Sequence, residues 1–182
     1  MKLIETGIKD LYVIEPRVFN DDRGYFFESF NKHNFQNLNL KLDFIQDNES
    51  FSAYGVIRGL HYQLAPYAQT KLLRVVSGKI LDVAVDLRKD SPTFGQHYSV
   101  ALSSDNKLQL LVPKGFAHGF SVLSKTVVVN YKCDSYYNKE SERGVFYADP
   151  ELNIDWGVKT GDAIVSDKDK ILPNLKDANY NF

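Results

Sequence analysis

Arginine, glycine and histidine occur within four residues of one another in the segment 56–63 (VIRGLHYQ). The apolar residues around them are typical of a β-strand. In a regular strand Arg58 and His61 would point to opposite faces, because side chains alternate along a strand. Gly59 lies between them, and a glycine inside a strand often marks a β-bulge that redirects a side chain. We therefore expect Arg58 and His61 to face one cavity. The alternative is a half-buried histidine that bonds to a neighbour and does no chemistry.

The chain also contains the side chains that proton transfer next to a carbonyl group requires. A neutral imidazole is a suitable general base at cellular pH, and a carboxylate on its other nitrogen fixes its tautomer. A phenol can return a proton to carbon, and a lysine can stabilise an oxyanion. The candidates for these roles are His61, Lys71, Tyr131, Asp167, Asp169, Arg58 and Arg23. This set is suited to proton abstraction next to a ketone, provided that the groups converge.

Histidines in a β-rich protein also suggest a metal site. His61 and His118 both lie in glycine-containing segments. A metal site needs three or four clustered ligands with supporting hydrogen bonds. Residue 63 is Gln, so the His-x-His pair of metal-binding barrels is missing. We therefore expect no metal and no other cofactor.

The composition makes several classes of protein improbable. The chain has 22 Lys and Arg against 23 Asp and Glu, a net charge of −1 that does not suggest a nucleic-acid partner. It contains no apolar run of about 18 residues, and its first residues lack the apolar core of a signal peptide. The single cysteine, Cys133, cannot form an intrachain disulfide. These features predict a soluble cytoplasmic protein without a membrane partner.

Short strands separated by turns follow one another along most of the chain. The alternation is clearest in residues 79–87, where apolar side chains alternate with Asp82 and Asp86. An acidic residue inside such a strand either faces water or has a cationic partner. One short helix is predicted over 31–40. Further strand-like runs at 11–15, 25–30, 71–76, 97–102, 108–112, 116–123 and 127–134 predict an all-β sandwich or barrel, in one domain spanning 1–182.

A series of segments in this order resembles the dTDP-4-dehydrorhamnose 3,5-epimerase family, deoxysugar-nucleotide epimerases of the cupin superfamily. The segments are 22–29 (DRGYFFES), 46–48 (QDN), 58–63 (RGLHYQ), 71–75 (KLLRV), 82–88 (DVAVDLR), 91–95 (SPTFG), 113–120 (PKGFAHGF) and 166–169 (SDKD). The match extends over nearly the whole chain. Each segment alone is a weak signal. The resemblance depends on all of the segments occurring in this order and at suitable spacings.

The resemblance implies an all-β fold, a cupin-type jelly-roll β-barrel with short peripheral helices, and a homodimer. It implies a nucleotide-sugar substrate, a dTDP-linked 4-keto-6-deoxyhexose. By the same resemblance His61 is the general base and Asp169 its carboxylate partner. Tyr131 matches the proton donor, and Lys71 lies where the family has a cation near the enolate oxygen.

The resemblance further implies a set of substrate-binding residues. They are Arg23, Glu28, Gln46, Asp47, Asn48, Arg58, His118, Tyr137, Glu142 and Lys168. The arginines are expected to bind the diphosphate, and Tyr137 to stack on the nucleotide base. Arg23 and Glu28 are expected to come from the neighbouring subunit.

The expected reaction inverts C3 and C5 of dTDP-4-dehydro-6-deoxy-D-glucose and gives dTDP-4-dehydro-L-rhamnose for polysaccharide biosynthesis, such as that of lipopolysaccharide. One alternative is a relative that inverts a single centre or isomerises the ketone. Another is a sugar-binding barrel without turnover, which would bind ligand without isotope exchange. A third is a metal-dependent cupin oxygenase, which would contain stoichiometric iron or another transition metal.

Overall fold

The regular structure consists mainly of strands. The structure is a computed structural model that describes residues 1–159 and 161–182. The strands are β1 (Lys2–Glu5), β2 (Tyr12–Glu15), β3 (Val18–Asp21), β4 (Gly24–Phe27), β5 (Gln46–Ala53), β6 (Val56–Gln63), β7 (Lys71–Ser77), β8 (Lys79–Asp86), β9 (His97–Ser103), β10 (Gln109–Val112), β11 (Phe116–Val122), β12 (Thr126–Cys133), β13 (Glu142–Gly144) and β14 (Ile164–Val165). The helices are α1 (Lys32–Asn37) and α2 (Asp167–Lys170), and 3₁₀ turns cover Lys139–Ser141 and Leu175–Asp177.

Two sheets form the body of the molecule. The first has the strand order β1-β2-β10-β7-β12-β5, and the second has the order β13-β6-β11-β8-β9. Strand β14 adds to the second sheet as a parallel partner of β6, while the other pairs are antiparallel. Strands β3 and β4 form a separate hairpin. Several strands that are neighbours in a sheet lie far apart in the sequence, which is typical of a jelly roll. The all-β jelly-roll prediction is therefore confirmed. The sheets form a sandwich and do not close into a ring of strands.

The main hydrophobic core lies between the two sheets. Leu73 and Val129 of the first sheet pack in one cluster with Ile80 and Phe120 of the second. The outer face of the second sheet is also covered, because Trp156 and other residues of the C-terminal segment pack against it. This double burial explains why β8 contains almost no exposed residue.

The buried acids of β8 resolve the alternative that the alternating pattern left open. Asp82 and Asp86 are both fully buried. Asp86 accepts hydrogen bonds from Arg88, Ser91 and Thr93, and Asp82 contacts a histidine. The acids therefore have partners and do not face water.

The predicted helix is present and shorter than expected. The side chain of Asn31 caps α1 by accepting from the N–H groups of His33 and Asn34. The helix ends before Asn39, whose φ of 62° is left-handed. Phe35 anchors it in the core. Within the described residues, no helix has the length and hydropathy needed to cross a membrane.

Candidate active site

A cavity of about 520 Å³ opens between the two sheets. It is lined by Ser50, Val56, Ile57, Arg58, His61, Lys71, Leu73, His118, Phe120, Tyr131, Ile164, Val165, Ser166, Lys168 and Asp169. A second hollow of about 340 Å³ shares His61, Lys71 and Tyr131 with it and reaches out to Tyr137 and Glu142. The two hollows together form one cleft, with room for a ligand larger than a single sugar ring.

A β-bulge in β6 brings Arg58 and His61 to the same side of the sheet. His118 of β11 lies opposite His61 of β6, and Phe120 lies opposite Arg58. The two positions are two residues apart on β11 and three apart on β6, so β6 has one additional residue. Gly59 lies in the bulge with φ of 133°, and a Cβ on it would meet the Cα of Gly119 at 2.5 Å. The bulge predicted from the glycine is confirmed, and both side chains line the cavity.

His61 forms a pair with a buried carboxylate. Its Nε2 atom lies 2.9 Å from Oδ1 of Asp169, and the backbone N–H of Gly59 donates to Oδ2 at 3.4 Å. Burial raises the pKa of Asp169, but the bonds from His61, Gly59 and Ser166 outweigh it, so the pKa lies below its ordinary value. The carboxylate therefore stays ionised, and it accepts a hydrogen bond from Nε2–H. Nδ1 is left as the ring nitrogen that can accept a proton.

Lys71 and Tyr131 extend from β7 and β12 into the same cavity. Burial lowers the pKa of Lys71, and the charges of Cys133, Asp82 and Glu142 oppose part of this shift. Burial also raises the pKa of Tyr131. Its phenol therefore keeps its proton at neutral pH and can act as a donor.

His118 lies directly opposite His61 on the neighbouring strand. Its Nε2 atom is 2.7 Å from Oδ1 of Asp82, and both side chains are buried. The cavity is therefore bordered by two adjacent histidines, each bound to its own carboxylate.

The guanidinium of Arg58 is held against the wall of the cavity. Its Nε donates to Oγ of Ser52 at 3.0 Å, and Nη2 donates to the carbonyl of Phe51 at 3.4 Å. No residue that the structure describes accepts a hydrogen bond from Nη1. The arginine thus has donor capacity left for an anionic ligand.

A network of polar groups surrounds the outer part of the cleft. Gln46 donates to Oδ1 of Asn48 and accepts from the backbone N–H of Tyr137. Oε2 of Glu142 accepts from the Tyr137 hydroxyl at 3.0 Å and from Lys168 at 2.7 Å. Partial burial raises the pKa of Glu142, but these bonds outweigh it and the pKa is lowered. Tyr137 as a whole residue is 56% exposed at the mouth of the cleft, where its ring can stack on a planar ligand.

Three of the predicted binding residues line neither hollow of the cleft within one chain. Asp47 pairs with Lys132 at 2.9 Å. Arg23 lies in the turn between β3 and β4, 90% exposed. Glu28 bonds to side chains around the start of α1.

The two acids of the segment 166–169 have different places. Asp167 is exposed and pairs with Lys170, whereas Asp169 is 4% exposed and bonds to His61. Ser166 accepts from the backbone N–H of Asp169 and caps α2. Sequence reasoning did not assign Ser166 a role, although Ser-x-x-Asp is a pattern that often begins a helix.

Two other residues beside the cavity have no role in the predictions from the sequence. Ser50 lines it, and its Oγ atom is buried without a partner among the described residues. Asp82 supports His118 from the adjacent strand. The available signal for Asp82 was an acidic residue in the centre of an apolar strand.

A jelly-roll sandwich whose cavity contains a His–Asp pair, a partly buried lysine and a protonated phenol defines a cupin-type enzyme of acid–base chemistry. Among the described residues, no group of three His, Cys, Asp or Glu side chains is arranged to hold a metal ion. Residues 5–177 match the family model described as dTDP-4-dehydrorhamnose 3,5-epimerase. The chain belongs to this family, as its motifs predicted.

Individual relatives agree with this assignment. The chain is 50% identical over 181 residues to the dTDP-4-dehydrorhamnose 3,5-epimerase of Shigella flexneri, covering 99% of both chains. The dTDP-6-deoxy-D-glucose-3,5-epimerase of Legionella pneumophila, solved in complex with dTDP-4-keto-L-rhamnose, is 46% identical with a TM-score of 0.92, covering 96% of this chain and 93% of that one. A 3′-monoepimerase from Streptomyces bikiniensis, solved as a double mutant in complex with dTDP, is 30% identical with a TM-score of 0.88. The match covers 95% of this chain and 87% of that one.

Proposed function

We propose that this protein inverts C3 and C5 of dTDP-4-dehydro-6-deoxy-D-glucose and so forms dTDP-4-dehydro-L-rhamnose. The observation that carries the proposal is the His61–Asp169 pair, which faces the same cavity as Lys71 and Tyr131. The names of the relatives support the choice of substrate and of both centres. Each residue role below is part of the proposal.

The reaction begins with loss of a proton next to the ketone. The carbonyl at C4 acidifies the hydrogens on C3 and C5, and Nδ1 of His61 takes one of them. The electrons of the broken C–H bond move into an enolate, whose oxygen is stabilised by the ammonium of Lys71. Asp169 stabilises the imidazolium that forms, as a carboxylate does behind a catalytic histidine.

The reaction ends with return of a proton to the opposite face of the sugar. The phenol of Tyr131 gives its proton to the carbon, and the configuration is inverted. Before the second carbon reacts, the His61 imidazolium releases its proton to water and the Tyr131 phenolate takes one up from water. Repetition at that carbon then completes the double epimerisation. C3 and C5 are both next to the same ketone, so both steps pass through an enolate at C4. One base and one donor therefore suffice when the sugar shifts its position between the two steps.

Residues of both hollows bind the substrate. Arg58 binds the diphosphate by charge-assisted hydrogen bonds, and Tyr137 stacks on the base. His118, Gln46, Asn48, Glu142 and Lys168 add polar contacts, and the substrate spans both hollows.

The test is incubation with dTDP-4-dehydro-6-deoxy-D-glucose, with proton NMR to assign the configuration at C3 and C5. Inversion at both carbons is the expected result. Inversion at one carbon would make the protein a single-centre epimerase, the activity named for the Streptomyces bikiniensis relative. A shifted ketone would indicate an isomerase, and saturable binding without a product would indicate a binding protein.

We further propose that the protein is a homodimer in which each cleft receives Arg23 and Glu28 from the neighbouring subunit. Arg23 extends from the β3–β4 hairpin and bonds to Asp21. In the same hairpin Phe26 is 67% exposed and Tyr25 is 57% exposed. Together they form an apolar surface suited to a protein contact. Asp47 stays a proposed substrate-binding residue on the resemblance to the family alone, since its carboxylate pairs with Lys132 in this structure.

Mixing two impaired variants tests the shared site. Arg23→Ala and His61→Asn, unfolded and refolded together, form mixed dimers in which one cleft has both intact residues. We expect recovery of about a quarter of the wild-type activity at low substrate concentration, because half of the dimers are mixed. Activity that stays at the sum of the separate variants would place Arg23 outside the neighbouring cleft.

We also propose a cytoplasmic location and catalysis without a cofactor. Cys133 is a free, buried thiol, which is in keeping with a reducing compartment. The acid–base groups of the cavity supply each step of the reaction.

A further inference from the structure

Asp82 is a fully buried carboxylate beside the cavity, and the mechanism above does not use it. Its side chain is 0% exposed in the middle of β8. Oδ1 lies 2.7 Å from Nε2 of His118, and Oδ2 has no hydrogen-bond partner among the described residues. A buried oxygen of this kind is costly and is rarely kept without a reason.

Packing alone does not explain the carboxylate. The neighbours of Asp82 on the same face of β8 are Ile80 and Ala84, which belong to the core between the sheets. An aliphatic residue would continue this pattern, and replacing a buried ionic pair by apolar residues is often neutral or stabilising. The carboxylate therefore has the character of a functional group in a core position.

Two groups that face the cavity depend on Asp82. It accepts a hydrogen bond from Nε2 of His118, which fixes the proton on that nitrogen and leaves Nδ1 free. Its charge also acts on Lys71, because it opposes the effect of burial on the ammonium. Lys71 and His118 both line the cavity in which the enolate forms.

We propose that Asp82 is a positioning residue of the epimerisation, which holds His118 in the Nε2–H tautomer. Asp82 does not touch the sugar and acts through His118. The inference rests on the proposed function for its kinetic test, while the tautomer of His118 can be measured without any substrate.

The first test is nitrogen-15 NMR of the histidine side chains in the wild-type protein. The chain has only four histidines, and a His118→Gln variant assigns the signal. We expect a proton on Nε2 of His118 in wild type and a redistributed or mobile proton in Asp82→Leu. A wild-type ring protonated on Nδ1 alone would overturn the proposal, whatever the enzyme's activity.

The second test separates positioning from stability by kinetics. Asp82→Leu and Asp82→Asn are expected to lower kcat by about 10- to 100-fold with KM changed by less than about threefold. The control is Asp86→Asn, since Asp86 is also fully buried in β8 and bonds to Arg88, outside the cavity. We expect this control to lower Tm while kcat and the His118 signal stay unchanged. Full kcat in a folded Asp82→Leu, or an equal loss of kcat in the control, would refute the proposal.

Discussion

The Nε2 atom of His61 lies 2.9 Å from Oδ1 of Asp169, although 108 residues separate the two in the chain. Their contact follows from a short parallel pairing, in which Ile164 and Val165 of β14 lie beside the first residues of β6. Helix α2 begins directly after this pairing, capped by Ser166. The carboxylate is thereby placed over the bulge of β6. Backbone pairing, rather than the side chains alone, sets the geometry of the proposed base.

Removing the phenol of Tyr131 should separate proton exchange from inversion. In Tyr131→Phe, His61 still abstracts a proton and returns it to the original face. We therefore expect the variant in heavy water to incorporate deuterium at one or both carbons and to lose at least one inversion. NMR of the sugar reports both events.

Tyr62→Phe is the matched control for Tyr131→Phe. The Tyr62 hydroxyl donates to the carbonyl of Asn179 at 2.7 Å, away from the proposed chemistry, and burial raises its pKa to about 12. The control should lose about 1 kcal/mol of stability and keep the wild-type pattern of inversion. Undiminished double inversion by Tyr131→Phe would assign the donor role to another group.

Replacing Arg58 by lysine should weaken binding of the nucleotide sugar. A lysine keeps the charge but lacks the planar set of donors, and it cannot reproduce the bond from Nε to Ser52. We expect Arg58→Lys to raise KM by about tenfold, a loss of about 1.4 kcal/mol, with a smaller effect on kcat. Arg143→Lys is the control, because Arg143 donates to the carbonyls of Glu140 and Glu142. An unchanged KM in Arg58→Lys would make Arg58 a structural residue.

The rate should fall at alkaline pH because of Lys71. Burial lowers the pKa of its ammonium, so the group loses its charge at a pH below the 10.5 of an ordinary lysine. The cation is present at lower pH and is lost as pH rises through the lowered pKa, and kcat should fall in that window. Lys71→Arg stays charged there, so its remaining activity should persist to higher pH. A wild-type profile that is flat up to the titration of an ordinary lysine would exclude this role.

Chelators should leave the enzyme active. Gln63 stands where a metal-binding barrel has its second histidine. Its Nε2 donates to the carbonyls of Tyr67 and Tyr136, and its Oε1 accepts from the N–H of Asn138. Both polar atoms of the Gln63 side chain are therefore already hydrogen-bonded to the backbone. Assays before and after dialysis against a chelator, with elemental analysis, measure the dependence. Activity that disappears and returns with one added metal would contradict the expectation.

Local features of the sequence predicted the parts of the site that local physics controls. Gly59 between Arg58 and His61 predicted the bulge, because few other residues fit a left-handed position against Gly119. The alternation in residues 79–87 predicted β8, and it left two possibilities for Asp82, of which the structure shows the one with a partner. The shared motifs predicted the family, which the comparisons confirmed.

The parts that were not predicted depend on contacts between distant segments. Helix α2 has four residues and β14 has two, which is too short for a periodic pattern to identify. The pairing of Asp82 with His118 joins residues 36 apart and depends on the register of β8 and β11. Such pairings are set by the packing of the whole sandwich, and a single sequence does not define them.

His61, held by Asp169, is the proposed single base for both carbons of the substrate. The most direct measurement is the rate of deuterium incorporation from heavy water at C3 and at C5, in wild type, His61→Asn and Asp169→Asn. His33→Asn is the control, since His33 is exposed on α1. This variant should exchange the substrate hydrogens at the wild-type rate. We expect His61→Asn to lose about 10²–10⁴-fold at both carbons and Asp169→Asn to lose less. If either carbon of the substrate still exchanged in His61→Asn at more than about a tenth of the wild-type rate, a second base would be required and His61 would not be the single base.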